Sequence, residues 1–251
     1  IMEAIFKHHP MFETETLNPD NPKKGITINP KITIEGGDFL VARENIFVIG
    51  TGVRTSTQGI DFIIENIKLL KTGLQHIIVQ ELPSTPESFI HLDMVFTILN
   101  TDSCVIYEPM ITKISRLRTI HIQIENRKVT KIEEEPNILR ALQKTGIDLR
   151  PAYCGGSTDS WIQEREQWHS GANFFAFAPG KVIGYERNSH TIDQLSNNGF
   201  EVIKAGDVVE GKILADNYKK CVVLIPGSEL ARGGGGARCM TMPVRRGEVN
   251  W

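Results

Sequence analysis

A β-β-α-β pattern that recurs along the chain is the feature that most restricts its fold. Two β-rich runs, ITIEGGDFLVA (32–42) and NIFVIGTG (45–52), are followed by STQGIDFIIENIKLLKTG (56–73). There Ile60, Ile63, Ile64, Ile67 and Leu70 recur at helical spacing, with Gly73 as the C-cap, and HIIVQEL (76–82) then reads as a short buried strand. The pattern returns as strands HLDMVFTILN (91–100) and SCVIYEP (103–109), an irregular strand insertion TIHIQIENRKVTKIEE (119–134), a helix PNILRALQKTG (136–146) and a strand LRPAYCGG (149–156). It returns again as a hairpin turning at Pro179-Gly180, a helix HTIDQLSNNG (190–199) and a strand EVIKAG (201–206), and a last strand KKCVVLIPGSEL (219–230) runs into four glycines. Residues 1–27 read as a helix end followed by a polar loop, LNPDNPKKG. Repeated supersecondary units predict a pseudosymmetric α/β assembly and argue against one doubly wound sheet.

The bulk properties exclude several classes. A net charge of −2 gives no basic excess for nucleic acid, and no apolar run is long enough to span a bilayer. No signal-peptide pattern opens the chain. The four cysteines, Cys104, Cys154, Cys221 and Cys239, show no metal-ligand spacing. A chain of 251 residues buries a sizeable core without disulfides, so a reduced, cytoplasmic setting is expected. The initial Ile hints at a processed or trimmed N-terminus.

Three polar clusters fall at predicted strand ends: Glu35-Gly-Gly-Asp38, His91-Leu-Asp93, and Cys239 behind the run Gly233 to Gly236. On an extended strand, His91 and Asp93 point to one side. A thiol, an imidazole and several carboxylates make a nucleophile, base and anchor, and carboxylates match a guanidinium in bidentate fashion. A plain structural reading stands beside each: a turn, a surface pair, a packed cysteine. One histidine among carboxylates is thin for zinc, so neither metal nor cofactor is expected. The residues themselves point to a Cys/His enzyme acting on a cationic small molecule.

Five segments in this order, IEGGDF, GTGVRTS, HLDMVFT, REQW with GANFFAFAPGKVIGYERN, and ELARGGGGARCMTMP, resemble arginine deiminase and its relatives in the guanidino-modifying superfamily. The resemblance covers nearly the whole chain. It implies a five-bladed α/β propeller of ββαβ modules around a central polar site. About three of those modules lie in residues 1–251, read as the C-terminal portion of a single catalytic domain. It also implies hydrolysis of L-arginine to L-citrulline and ammonia. Cys239 matches the nucleophile, His91 the general acid/base, Glu35 its carboxylate partner, Asp93 a guanidinium clamp and Arg54 the contact to the substrate α-carboxylate. Asp38 and Gly233, inside the matching motifs, are expected at the substrate site.

The resemblance also marks departures. A second guanidinium-binding aspartate of the family lies upstream of the segment IFKHHPMF that opens this chain. The place of a common second arginine holds Gly234, and that of an asparagine holds Ser157. Upstream modules, a separate N-terminal fragment or self-association into a homo-oligomer are therefore expected to cover exposed sheet edges. The alternatives are a dimethylarginine or agmatine hydrolase, an amidinotransferase, or a non-catalytic fragment that binds arginine or a partner. Arg54 favours a substrate with a free α-carboxylate.

Overall fold

The computed structural model describes residues 2–12, 14–19, 32–70 and 73–250. The polar loop expected over 17–25 lies largely outside the described residues. The chain opens with α1 (Met2–His8), and its three sheets begin at β1 (Phe39–Arg43).

The first unit follows the expected pattern. β1 pairs antiparallel with β2 (Ile46–Thr51), helix α2 (Thr57–Leu70) crosses over, and β3 (Gln75–Glu81) returns parallel to β2. Ser56 starts α2, its Oγ accepting the Gly59 N–H at 3.1 Å. Gly59 is required there, because a Cβ would stand 2.4 Å from the Thr33 carbonyl oxygen. Ile60, Ile63, Ile64 and Ile67 bury the apolar stripe of α2 against Ile49, Ile77 and Val79 of the sheet. Each buried side chain contributes about 1.5–3 kcal/mol. Leu70, expected on that stripe, is half exposed at the end of the helix.

The second unit contains β4 (Phe96–Asn100), β5 (Ser103–Ile106), the short α3 (Glu108–Ile111), β6 (Thr119–Glu125), β7 (Lys128–Glu135), α4 (Ile138–Lys144) and β8 (Arg150–Tyr153). β4 and β5 are antiparallel, and β8 is parallel to β5. The irregular insertion is an antiparallel hairpin, with a register shift at Gln123/Ile124, that leaves its own unit. β6 pairs antiparallel with β3, so the first sheet has the order β1-β2-β3-β6-β7.

Helix α5 (Ser160–Trp168), which the periodicity did not bring out, links to the third unit. Asp159 caps it, accepting from the Trp161 and Ile162 N–H groups. Then come β9 (Phe175–Ala178), β10 (Lys181–Tyr185), α6 (Ser189–Asn197), β11 (Glu201–Lys204), α7 (Ala205–Val209) and β12 (Cys221–Ile225). The sheet order is β11-β12-β10-β9, with β12 parallel to both neighbours. The strand that follows α6 is therefore an edge, and the last strand takes the place beside the hairpin.

The units share cores. Leu40, Val48 and Ile78 of the first pack with Val95, Phe96, Ile106, Ile138 and Leu142 of the second. Leu99, Val105 and Ala152 of the second pack with Phe174, Val182, Leu195 and Val222 of the third. The first strands of all three units thus start on a common side, and the polar residues just before them meet.

Candidate active site

Each unit delivers a fully buried polar side chain immediately ahead of its first strand: Asp38 before β1, Asp93 before β4 and Asn173 before β9, each 1% exposed. Hydrogen bonds stitch them together. The Leu92 N–H donates to Asp38 Oδ1 at 2.8 Å. Asn173 Nδ2 donates to the Asp93 carbonyl at 3.2 Å, while its Oδ1 accepts from the Arg238 and Cys239 N–H groups at 2.9 and 3.3 Å. One carboxamide therefore fixes Asp93 relative to Cys239. Gly236 lies flat on it, since a Cβ there would come within 2.3 Å of Asn173 Oδ1. Gly234 and Gly235 have φ of 77° and 134°, conformations that side chains rarely adopt, and these bring the chain round to Cys239.

His91 and Asp93 do not sit on a strand. Leu92–Met94 form a 3-10 turn, with His91 extended just before it and β4 beginning only at Phe96. The side chains nevertheless reach one cavity of about 1060 Å³, lined also by Arg54, Gly233, Arg238 and Cys239. His91 Nε2–H donates to Glu35 Oε2 at 2.6 Å, and Arg54 Nη1 stands 3.6 Å from the other oxygen, Glu35 Oε1. Gly37 supports the imidazole directly: a Cβ would lie 2.6 Å from His91 Cγ. Asp38, expected at the substrate, is not among the cavity-lining residues. It lies buried beneath the His91–Asp93 turn, where it accepts the Leu92 N–H.

Burial pushes the Asp38 carboxyl up to about 6, against lowering by the Thr55 hydroxyl, the Leu92 N–H and His91. The folded form thus holds a proton that the unfolded chain has lost, and stability falls as pH rises from about 4 to about 6. The shift corresponds to about 3 kcal/mol. Asp38→Asn keeps the acceptor for Leu92 and removes the charge. Its advantage over the parent in urea unfolding is expected to grow from nothing below about pH 4 to that amount above about pH 6. Parallel pH profiles for the two would contradict this.

Asp93 is raised by burial, opposed first by the Arg238 charge. Arg238 Nη1 donates to Asp93 Oδ2 at 2.8 Å, while the buried Oδ1 has no hydrogen-bond partner among the described residues. A guanidinium thus already rests on one oxygen of this carboxylate. Burial and the Asp93 charge push the Cys239 thiol up from its ordinary value. Of the four free cysteines, Cys239 is exposed and the other three are buried.

Sequence reasoning missed Asn173, Arg238 and the pair Glu166-Gln167. Glu166, 1% exposed, accepts from the His190 and Thr191 N–H groups and so caps α6. Gln167 Nε2 donates to the Ser88 and Met94 carbonyls at 2.8 and 3.3 Å, holding both ends of the segment that carries His91 and Asp93. Their signal was the REQW string itself, which falls on α5.

Comparison with known proteins places the chain. The sequence profile described as arginine deiminase matches residues 1–246. Arginine deiminase of Listeria monocytogenes is 34% identical over 251 residues, covering 98% of this chain and 53% of its own length. That of Oenococcus oeni is 28% identical over 248 residues, with the same two coverages. The chain thus spans about half the length of these curated relatives. Among solved structures, SxtG, an amidinotransferase from Microseira wollei, superposes with a TM-score of 0.50 at 17% identity, covering 87% of this chain and 49% of that one. The mixed α/β fold is shared with that protein.

Proposed function

The chain belongs to the arginine deiminase family, and we propose that its cavity hydrolyses L-arginine to L-citrulline and ammonia through a covalent adduct on Cys239. The observation that carries this reading is the Arg238 guanidinium seated on Asp93 at the wall that also presents Cys239. The buried carboxylate has the shape and charge to hold a planar cation there. Substrate takes the same carboxylate by displacing Arg238 from Oδ2.

In the proposed reaction, Cys239 Sγ adds as thiolate to the guanidino carbon. His91, oriented by Glu35, gives a proton to the departing nitrogen, and ammonia leaves an S-alkylthiouronium on the sulfur. His91 then takes a proton from water as its oxygen adds to the same carbon. The carbon–sulfur bond breaks, citrulline departs and the thiol is restored. Asp93 disperses the substrate charge throughout. Arg54 lies on the cavity wall, where it faces the α-carboxylate of a free amino acid once it leaves Glu35. A substrate cation beside Cys239 offsets the Asp93 charge and favours the thiolate. In this reading the chain forms part of one propeller domain, and the second guanidinium clamp comes from the part of the relatives' length that this chain does not span.

Alkylation tests the site apart from turnover. Iodoacetamide is expected to label Cys239 and leave Cys104, Cys154 and Cys221 unmodified in the folded chain. The rate should still be rising at about pH 9, because only thiolate reacts and this thiol is held above its ordinary value. L-Arginine should slow labelling. Equal slow labelling of all four cysteines, indifferent to arginine, would sink the proposal.

A further inference from the structure

Away from the cavity, the inserted hairpin β6–β7 and helix α4 enclose a second polar cluster, which the proposed reaction does not use. His121 on β6 lies directly opposite Glu133 on β7, and Glu135 is two residues further along the same face. His121 is 2% exposed, and the Glu135 side chain is fully buried. His121 Nδ1 stands 3.8 Å from Glu133 Oε1 and 3.7 Å from Glu135 Oε1. Both separations are beyond hydrogen-bonding reach. His121 Nδ1 and Glu135 Oε2 are buried and have no hydrogen-bond partner among the described residues.

We propose that His121, Glu133 and Glu135, with water in the fourth position, form a site for a divalent cation of the zinc class that locks the β6–β7 hairpin closed. The three ligand atoms lie within 4.8 Å of one another. In a tetrahedral zinc site with bonds of about 2.0–2.1 Å, ligand atoms stand about 3.3–3.4 Å apart, so the two histidine–carboxylate separations need to close by only a few tenths of an ångström. The remaining ring nitrogen is already provided for. His121 Nε2 lies 2.9 Å from His76 Nδ1 on β3. With Nε2–H donated to His76, the lone pair of Nδ1 points at the two carboxylates, an arrangement that repels unless a cation lies between them. Metal-bound histidines characteristically donate their other N–H in this way. Lys131 holds Glu133 Oε2 at 2.7 Å, leaving Oε1 for the ion.

One group competes. Lys144 Nζ, on α4, donates to Glu135 Oε1 at 2.7 Å and stands 3.8 Å from Glu133 Oε1. Its side chain is more than half exposed and can swing into solvent. A monovalent ammonium leaves the His121 lone pair unsatisfied, whereas a metal ion serves all three ligands.

The test uses the full chain, stripped with a chelator and carrying Cys239→Ser so that the exposed thiol does not bind metal. Titration with Zn²⁺ is expected to show one tight equivalent, and Co²⁺ to give the visible absorption of a four-coordinate N/O site. His121→Gln should weaken binding at least about tenfold, as loss of one ligand or its partner does. Lys144→Gln, which removes the competing ammonium and keeps all three ligands, should tighten it at least about tenfold, because the ion no longer displaces a charge-assisted hydrogen bond to the buried Glu135 carboxylate. No Zn²⁺ uptake, uptake unchanged by His121→Gln, or no gain from Lys144→Gln would overturn the proposal. The cluster would then be a network balanced by lysine alone.

Discussion

Asn173→Ala is expected to lower the stability of the chain by about 2–4 kcal/mol in urea and to reduce turnover by at least about a hundredfold. The side chain makes three hydrogen bonds, to the Arg238 and Cys239 N–H groups and to the Asp93 carbonyl. Alanine leaves all three backbone groups without that partner and opens space beside Gly236. The larger effect is on geometry. Cys239 follows glycines at positive φ, so little else fixes where its sulfur lies relative to Asp93. Asn173→Asp separates the two contributions. It keeps the acceptor oxygen, loses the donor to Asp93, and adds a negative charge beside the thiol, which should move the alkylation profile further to high pH. An Asn173→Ala protein with parental stability and turnover would remove the carboxamide from the account.

Asp93→Ala should be the most damaging single change, costing about 3–5 kcal/mol, because it strands the largely buried Arg238 guanidinium. Arg238→Ala leaves the opposite charge stranded, and Asp93 can then take up a proton. The double variant, with neither charge, is expected to recover much of the loss. A thermodynamic cycle would therefore show strong coupling between the two positions. Function splits them differently. Asp93→Ala should abolish arginine protection of Cys239, whereas Arg238→Ala should preserve it, since substrate no longer has a guanidinium to displace. Additive stability losses, or protection that survives without Asp93, would contradict the clamp. Urea is the denaturant of choice, because guanidinium itself resembles the ligand.

The parts of this arrangement that were legible in the sequence are those set locally. The stripe from Ile60 to Ile67, the hairpin turn at Pro179-Gly180 and the glycines before Cys239 each record a short-range constraint. The residues brought to the cavity, Glu35, Arg54, His91, Asp93 and Cys239, were found through motif order, and each lines the cavity or contacts a residue that does. What was misread depends on partners far along the chain. His91-Leu-Asp93 alternates like a strand, yet the Asp38 carboxylate from another unit takes the Leu92 N–H and the segment turns. β12 enters between β10 and β11, and β6–β7 joins the neighbouring unit's sheet, because strand order is decided by which edges are open. Asn173 was quoted within a motif but carries no reactive chemistry, so only its position shows that it joins Asp93 to the cysteine. Asp38, expected at the substrate from its place inside a motif, is off the cavity lining and accepts the Leu92 N–H instead.

The most direct test of the central claim is citrulline and ammonia release from L-arginine by the protein in the full form its gene encodes, with Cys239→Ser beside it. The account predicts equimolar products from the parent and none above background from the variant. A folded parent that releases neither product, or a variant that releases both at the parental rate, would contradict it.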